Sequence, residues 1–400
     1  MKLFYISALS SKRLVSEIYS KTQTNPGFAV QKFSRLLVKG LLRNEADVIA
    51  LSTPPITRTY TKRLWINYTT ETEEGVEYKY IPFVNLPLFK HICVFMFSFF
   101  YVLKWGAKNK ENKAIICDVL CISSSMGSLL ASKMCGLRSV AVVTDIYDQM
   151  VGQIPRGLNA FIKKLAGILN RKYVGSFDKY VLLTEAMNEK VNPKQRPFIV
   201  MEALCDEKLA DDVFAPTIKT LPKVIMYAGG LEERYGLKML VESFKTIPDN
   251  NIELHLYGSG SYVEELIGET KADSRIKFWG VKSNDEIVEA ESKATLLVNP
   301  RFTTEEFTRY SFPSKNMEYM VSGTPVLTTK LPGMPQEYYP FVYLIDEESV
   351  EGYARAISET LRQSDESLME KGRLARNFVL KNKNNVFQAD RIIKFINDIG

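Results

Sequence analysis

Between residues 223 and 362, short β-rich runs and longer amphipathic helical patterns alternate, and this alternation constrains the chain more than any other feature. The strand-length runs are VIMYAGG (224–230), IELHLYG (252–258), IKFWG (276–280), TLLVNP (295–300), TPVLTT (324–329) and FVYLID (341–346). Helical periodicity fills the gaps, over 237–247, 262–271, 284–293, 314–321 and 350–362, and a helical tail of several sub-segments covers 366–399. Apolar runs separated by helices predict a parallel sheet with crossover helices. The first half repeats the pattern with KLFYIS (2–7), DVIALS (47–52), AIICDVL (114–120), SVAVVTD (139–145) and KYVLLT (179–184). Its helical patterns fall at 27–41, 86–105, 127–135 and 158–173, and two more β-rich runs (63–68 and 76–82) form an excursion.

A chain of 400 residues exceeds one ordinary hydrophobic core, so two α/β domains are expected. The boundary falls in the polar segment 206–222, which holds two prolines and precedes a strongly apolar strand. Charge changes sign there. Residues 1–205 carry 28 Lys and Arg against 15 Asp and Glu, whereas the remainder carries 24 against 31. The expected division is 1–205, a linker at 206–222, a second domain at 223–380, and a C-terminal helix at 381–400 that packs back on the first domain.

A basic first half suits an anionic partner such as lipid headgroups or a diphosphate carrier. No nucleic-acid-binding motif is present. The N-terminus lacks the basic, apolar, small-residue order of a signal peptide. The most apolar run, Ile92 to Leu103, has twelve residues, short of the about 20 needed to cross a bilayer. A cytoplasmic protein with peripheral contact to the inner face of the membrane is the expectation. The five cysteines are unpatterned and there are two histidines, so no zinc site and no cofactor is predicted. No DxD-like metal motif falls in a convincing loop, and the one Asp-Asp pair, Asp211-Asp212, lies in the linker and reads as solvated.

Ligands in open α/β sheets bind beyond the carboxyl ends of strands, and helix N-termini offer free N–H groups to phosphate. Three strand-to-helix turns qualify. YAGGLEERYGLKML places Gly229 and Gly230 at a strand end, with Arg234 and Tyr235 before a helix. It is not a GxGxxG fingerprint, so dinucleotide binding is not indicated. LYGSGSYVEEL contributes Gly258, Ser259 and Gly260. EEFTRYSFPSKNMEYMVSGTPVLTT is the richest. Pro313 opens a helix, Ser314 or Ser311 is placed to cap it, Lys315 stands in its first turn and Glu318 follows three residues later. A cation beside a helix N-terminus opposes the dipole unless an anion shares the site. The spacing therefore admits two readings. In one, phosphate sits on the amides and Lys315 with ribose on Glu318; in the other, Lys315 and Glu318 form a surface ion pair.

The stretch from Tyr227 to about Ile345, above all SFPSKNMEYMVSGTPVLTTKLPGMPQEYYP, resembles retaining glycosyltransferases of the group 1 type (family 4, GT-B fold). Together with YVLLTEAMNEKVN and VVTDIYD in the first half, it is similar to the subgroup that builds capsules and exopolysaccharides. The resemblance implies two Rossmann-like domains facing each other across a cleft, the first binding acceptor and the second a nucleotide-sugar. It implies transfer of a hexosyl group, without metal, to a lipid-linked saccharide. It also assigns Glu318 to the ribose and places Gly229, Gly230, Arg234, Gly258, Ser259, Gly260, Val281, Tyr310, Ser311, Phe312, Ser314 and Lys315 around the donor.

The chain departs from the family pattern twice. Where relatives carry a first glutamate eight residues before the second, this chain has Tyr310, leaving Glu305, Glu306 or the backbone amides of 310–312 to meet the sugar. Where they carry an Arg and a Lys in the first glycine turn, it has Gly230 and Tyr235, so Lys315 and Arg301 are expected to supply the charge. Asp145, at a strand end of the first half, is the candidate to orient the acceptor hydroxyl, and His91 the second candidate. His255, within a strand, reads as structural. Two other classes fit the same residues: a nucleotide-sugar epimerase or hydrolase, and a non-catalytic nucleotide-sugar sensor or partner subunit.

Overall fold

The computed structural model describes residues 1–108, 112–146, 167–210 and 221–398. Contacts divide the chain into two compact units, Met1–Leu204 with Asn385–Gly400, and Cys205–Asn384.

The first unit is built on β1 (Lys2–Ser7), β2 (Asp47–Ser52), β3 (Trp65–Ile66), β4 (Glu71–Glu73), β5 (Val76–Tyr80), β6 (Phe83–Val84), β7 (Lys113–Asp118), β8 (Arg138–Val143), β9 (Lys179–Leu182) and β10 (Phe198–Val200). Eight of these strands form one sheet in the order β10-β9-β8-β7-β1-β2-β5-β4. Only the β4–β5 pair in it is antiparallel, and β3 and β6 make a separate antiparallel pair. β1 and β7 are buried almost from end to end. Parallel strands covered on both faces require such unbroken apolar runs. The covering helices include α1 (Lys12–Thr22), α2 (Phe28–Arg43), α3 (Pro87–Ala107) and α4 (Ile122–Cys135), with α5 (Met187–Val191) at the edge. Residues 167–174 are also helical. They are the described end of the helix expected at 158–173; its earlier residues lie outside the described part, as do most of the linker and Asp211-Asp212.

The second unit has a wholly parallel sheet of β11 (Lys223–Gly230), β12 (Ile252–Ser259), β13 (Ile276–Gly280), β14 (Leu296–Asn299), β15 (Val326–Thr329) and β16 (Tyr343–Ile345). Their spatial order is β13-β12-β11-β14-β15-β16. Helices α6 (Leu237–Lys245), α7 (Val263–Ala272), α8 (Asn284–Lys293), α9 (Ser314–Ser322), α10 (Val350–Leu361) and α11 (Asp365–Asn382) belong to this unit, and α12 (Asn385–Asn397) to the first. Leu237, Leu240, Val241 and Phe244 of α6 share one core with Tyr353 and Ile357 of α10 and the strand residues Leu254, Leu256 and Val298. α12 lies directly on α2, where a Cβ on Gly40 would come 2.0 Å from the carbonyl oxygen of Asn385. A side chain at position 40 would separate the two helices.

All five cysteines are free; Cys117, Cys135 and Cys205 are buried, and Cys93 and Cys121 half-buried. His255 sits within β12 and meets the Glu253 carboxylate at 2.8 Å.

Candidate functional site

In the second unit the strand order reverses between β11 and β14, which makes that junction the switch point of the sheet. β11 pairs with β12 along its whole length but with β14 only at Ile225 and Met226. Beyond Met226 the two strands no longer share hydrogen bonds, and a side chain takes over. The buried Tyr319 hydroxyl accepts the Ala228 N–H at 2.9 Å and donates to the Ala228 carbonyl at 3.3 Å. This tethers α9 to the end of β11. Tyr319→Phe leaves a buried N–H unpaired and is expected to cost about 1.5 kcal/mol. Urea denaturation measures it, and an unchanged midpoint would remove the tether.

The opening turn of α9 is fixed to the next two strands. Asn299 Nδ2 donates to Asn316 Oδ1 at 2.8 Å, and Asn316 Nδ2 reaches Thr328 Oγ1 at 3.4 Å and Met334 Sδ at 3.3 Å. Asn299, Asn316 and Thr328 are all buried, so the N-terminus of α9 is held at the carboxyl ends of β14 and β15. Neither Ser314 nor Ser311 caps it, contrary to the sequence expectation. Pro313 occupies the cap position without a side-chain bond, and Ser311 Oγ instead donates to the Phe307 carbonyl at 3.0 Å. The first amides of an α-helix have no intrahelical partner, so the mouth of α9 offers Ser314 and Lys315 N–H groups. Asn316 N–H is engaged by the Pro313 carbonyl at 2.9 Å. Lys315 Nζ and Glu318 Oε2 stand 2.7 Å apart, their side chains 28% and 38% exposed. The ion-pair arrangement weighed from spacing is therefore the one present. Such partly exposed pairs contribute about 0–1 kcal/mol, little enough for a ligand to rearrange.

The glycines of the neighbouring turns have packing reasons. A Cβ on Gly258, whose φ is +129°, would lie 1.8 Å from the Gly229 carbonyl oxygen. One on Gly260 would lie 2.2 Å from the Leu231 oxygen, and one on Gly236 1.8 Å from the Pro300 oxygen. The turns after β12, β11 and β14 thus rest backbone on backbone. Gly229 also accommodates the Tyr227 hydroxyl, 2.8 Å from where its Cβ would stand, and Gly230 the Tyr235 ring at 3.0 Å. Ser259 completes β12, and its carbonyl accepts the Leu231 N–H at 2.9 Å.

Two guanidinium groups converge where the family pattern has its basic pair. Arg234 lies 5.0 Å and Arg301 4.8 Å from the Tyr235 ring centroid, and both lie 5.8 Å from that of Phe307. The two rings meet edge to face at 5.9 Å. Aromatic faces attract cations, so this pair holds two positive charges at the ends of β11 and β14. Burial pushes the Tyr227 hydroxyl up to about 12, with the Arg301 charge pulling the other way. The hydroxyl donates to the Gly230 carbonyl at 3.0 Å. Phe307 carried no signal in the sequence, because its role depends on folding back onto Tyr235.

The side chains of Tyr310 and Phe312 are buried, so only their backbone could meet a ligand. They are 3% and 6% exposed, the Tyr310 N–H donates to Phe307, and the Phe312 ring packs on Tyr338 at 5.2 Å. Both serve the packing beneath the α9 mouth. Val281 is 72% exposed after β13. Beside it, the half-exposed Trp279 stacks on Tyr257 with 6.2 Å between centroids.

In the first unit, Asp145 follows β8 and lines a cavity with Leu120, Ile122, Arg171, Lys190 and Val191. The residue surface is open to solvent, yet burial of the carboxyl raises its pKa. His91 stands exposed on α3 with Nδ1 2.8 Å from Ser123 Oγ. Sequence reasoning passed over Asp118, at the end of β7 where this sheet reverses against β1. It is 3% exposed, and burial pushes its carboxyl up to about 6. Among the described residues no three His, Cys, Asp or Glu side chains are grouped to share a metal ion.

Residues 210–378 match the family model of glycosyl transferases group 1. No curated protein sequence is similar enough to count as a match. Similar solved structures cover nearly the whole chain at low identity. A sucrose-phosphate synthase from Thermosynechococcus elongatus has a TM-score of 0.61 at 15% identity over 99% of both chains. Anabaena Alr3699/HepE, solved in complex with UDP, gives 0.60 at 14% over 99% of both. An E. coli structure described as trehalose-6-phosphate bound with UDP-2-fluoro glucose gives 0.65 at 10% over 100% of both. The fold is GT-B, with two Rossmann-like domains. The chain is a glycosyltransferase, and its second unit carries a group 1 glycosyl transferase domain.

Proposed function

We propose that the chain transfers a hexosyl group from a nucleotide-diphosphate sugar to a lipid-linked saccharide in surface polysaccharide biosynthesis, as a retaining, metal-independent member of family 4. The observation that carries the donor half is the uncapped mouth of α9 at the switch point, with Lys315 in its first turn and Glu318 one turn in. Diphosphate lies on the Ser314 and Lys315 amides, neutralised by Lys315 and by the Arg234–Arg301 pair. Glu318 turns from Lys315 to the ribose hydroxyls. Fixed donors aimed at the leaving phosphate stabilise the charge that develops there. The UDP in the HepE structure is in keeping with this reading.

The anomeric C–O bond to the diphosphate breaks while the acceptor oxygen bonds to the same face of that carbon. The acceptor proton passes to the departing phosphate oxygen, and Asp145 orients the hydroxyl. The acceptor half is supported by the basic charge of residues 1–205.

Thermal-shift screening against UDP-, GDP- and dTDP-sugars tests the donor assignment. A cognate donor at a hundred times its Kd stabilises the protein by about 2.7 kcal/mol. No shift with any of the three would contradict the reading. Donor turnover that requires membrane extract supports transfer; turnover without acceptor would assign the site to a hydrolase or epimerase.

A further inference from the structure

We infer that the outer face of α3 docks the protein on an anionic lipid bilayer, with the helix lying along the surface. This deepens the acceptor half of the proposed function and rests on it only for its purpose. By length and composition Leu88–Ala107 is apolar enough to cross a membrane, but one side of the helix is committed to the first unit. Trp105 stacks on Phe4 of β1 with 4.3 Å between centroids, and Val94, Ser98 and Val102 are buried. A Cβ on Gly127 of α4 would stand 2.3 Å from the Phe95 carbonyl oxygen, so the two helices touch through their backbones. A helix wedged between a sheet and a neighbour in this way cannot leave to span a bilayer.

Among the described residues nothing covers the opposite side. Leu88, Ile92, Met96 and Phe100 recur every fourth residue and are 68%, 52%, 43% and 53% exposed, with Phe89 at 55%. Trp65, half exposed, meets Phe97 at 6.0 Å and widens the stripe. A contiguous apolar stripe of this kind marks an interaction surface.

Charge selects the occupant. α3, α4 and residues 53–70 contain no Asp or Glu, whereas Arg58, Lys62, Arg63, Lys104 and Lys133 are exposed cations on these same segments. An apolar stripe among cations matches a plane of anionic headgroups over acyl chains. A second copy of the chain would present the same positive rim and be repelled.

Flotation of the full-length protein with phosphatidylcholine vesicles, with and without phosphatidylglycerol, tests the inference. The protein is expected to float with the anionic vesicles and to dissociate as salt is raised. Ile92→Ser with Phe100→Ser, and separately Lys62→Glu with Arg63→Glu, should each weaken binding about tenfold or more. These side chains are exposed, so the melting temperature should hold. Absence of binding to anionic vesicles, or undiminished binding by either variant, overturns the inference. A dimer abolished by the serine variant, without vesicle binding, would assign the face to a second copy and also overturn it. Donor-induced thermal stabilisation is measured without lipid, so its failure would strike the donor reading and leave vesicle binding intact.

Discussion

Replacing Glu318 by alanine is expected to weaken nucleotide-sugar binding about 10- to 100-fold, the range of one or two hydrogen bonds to a charged acceptor. Folding should change little. The side chain is 38% exposed and pairs with Lys315 at 2.7 Å, an interaction of about 0–1 kcal/mol at such exposure. Titration calorimetry separates the two effects when read beside a melting curve. Lys315→Ala provides the contrast. If Glu318 only pairs with Lys315, the two variants should behave alike, with small stability losses and normal affinity. If each holds its own part of the donor, Glu318→Ala should lose affinity for the nucleoside, whereas Lys315→Ala should lose affinity only for ligands bearing the diphosphate. Undiminished affinity in Glu318→Ala would end the ribose assignment.

The second large effect concerns stability and lies in the first unit. Asp118 Oδ1 accepts the Leu120 N–H at 3.0 Å, and Oδ2 stands 3.7 Å from Cys121 Sγ. These contacts favour the carboxylate less than burial disfavours it, and the pKa is pushed up to about 6. An unfolded Asp titrates near 3.9. Between about pH 4 and 6 the folded chain therefore keeps a proton that the unfolded chain has released. Stability falls as pH rises through that window, by about 3 kcal/mol in all, and levels off above it. An asparagine side chain at this position carries no charge at any pH and can still accept from Leu120. Asp118→Asn should therefore be up to about 3 kcal/mol more stable than the parent at about pH 7.5, and only about 1 kcal/mol more stable at about pH 4.5. Urea midpoints at the two pH values decide it. A variant destabilised equally at both would show that the carboxyl is paired rather than stranded.

How far the sequence could be read depended on whether each signal was local. The second sheet was legible nearly residue by residue. VIMYAGG and the helix at 284–293 fall where expected, because covered parallel strands are continuous apolar runs and Ser283 caps the helix with Glu286. α1 was missed because its buried stripe is only Leu14, Val15 and Ile18 among charged neighbours. The short strands β4 and β6 were missed because they hold two or three residues each. α3 was legible as a helix, but a helix apolar all round does not tell which side the fold covers. At the candidate site, residue types singled out segments that the fold gathers at the switch point of the second sheet, but not what each side chain touches. Gly258 and Gly260 read as a candidate ligand turn, and the fold shows that each also meets the carbonyl of a turn distant in sequence. Tyr310 stands where relatives have a glutamate, and only the fold shows its ring buried. Asp118 looked like any strand-end carboxylate, since its perturbation arises from what surrounds it.

The central claim is that the mouth of α9 grips a diphosphate with Glu318 on the adjoining pentose. The most direct measurement is a crystal structure with the sugar nucleotide that shifts the melting temperature most. The account predicts phosphate oxygens within hydrogen-bonding reach of the Ser314 and Lys315 amides, Arg301 or Arg234 beside them, and Glu318 turned from Lys315 to the ribose. A nucleotide bound elsewhere, or a Lys315–Glu318 pair left undisturbed beneath empty amides, would contradict it.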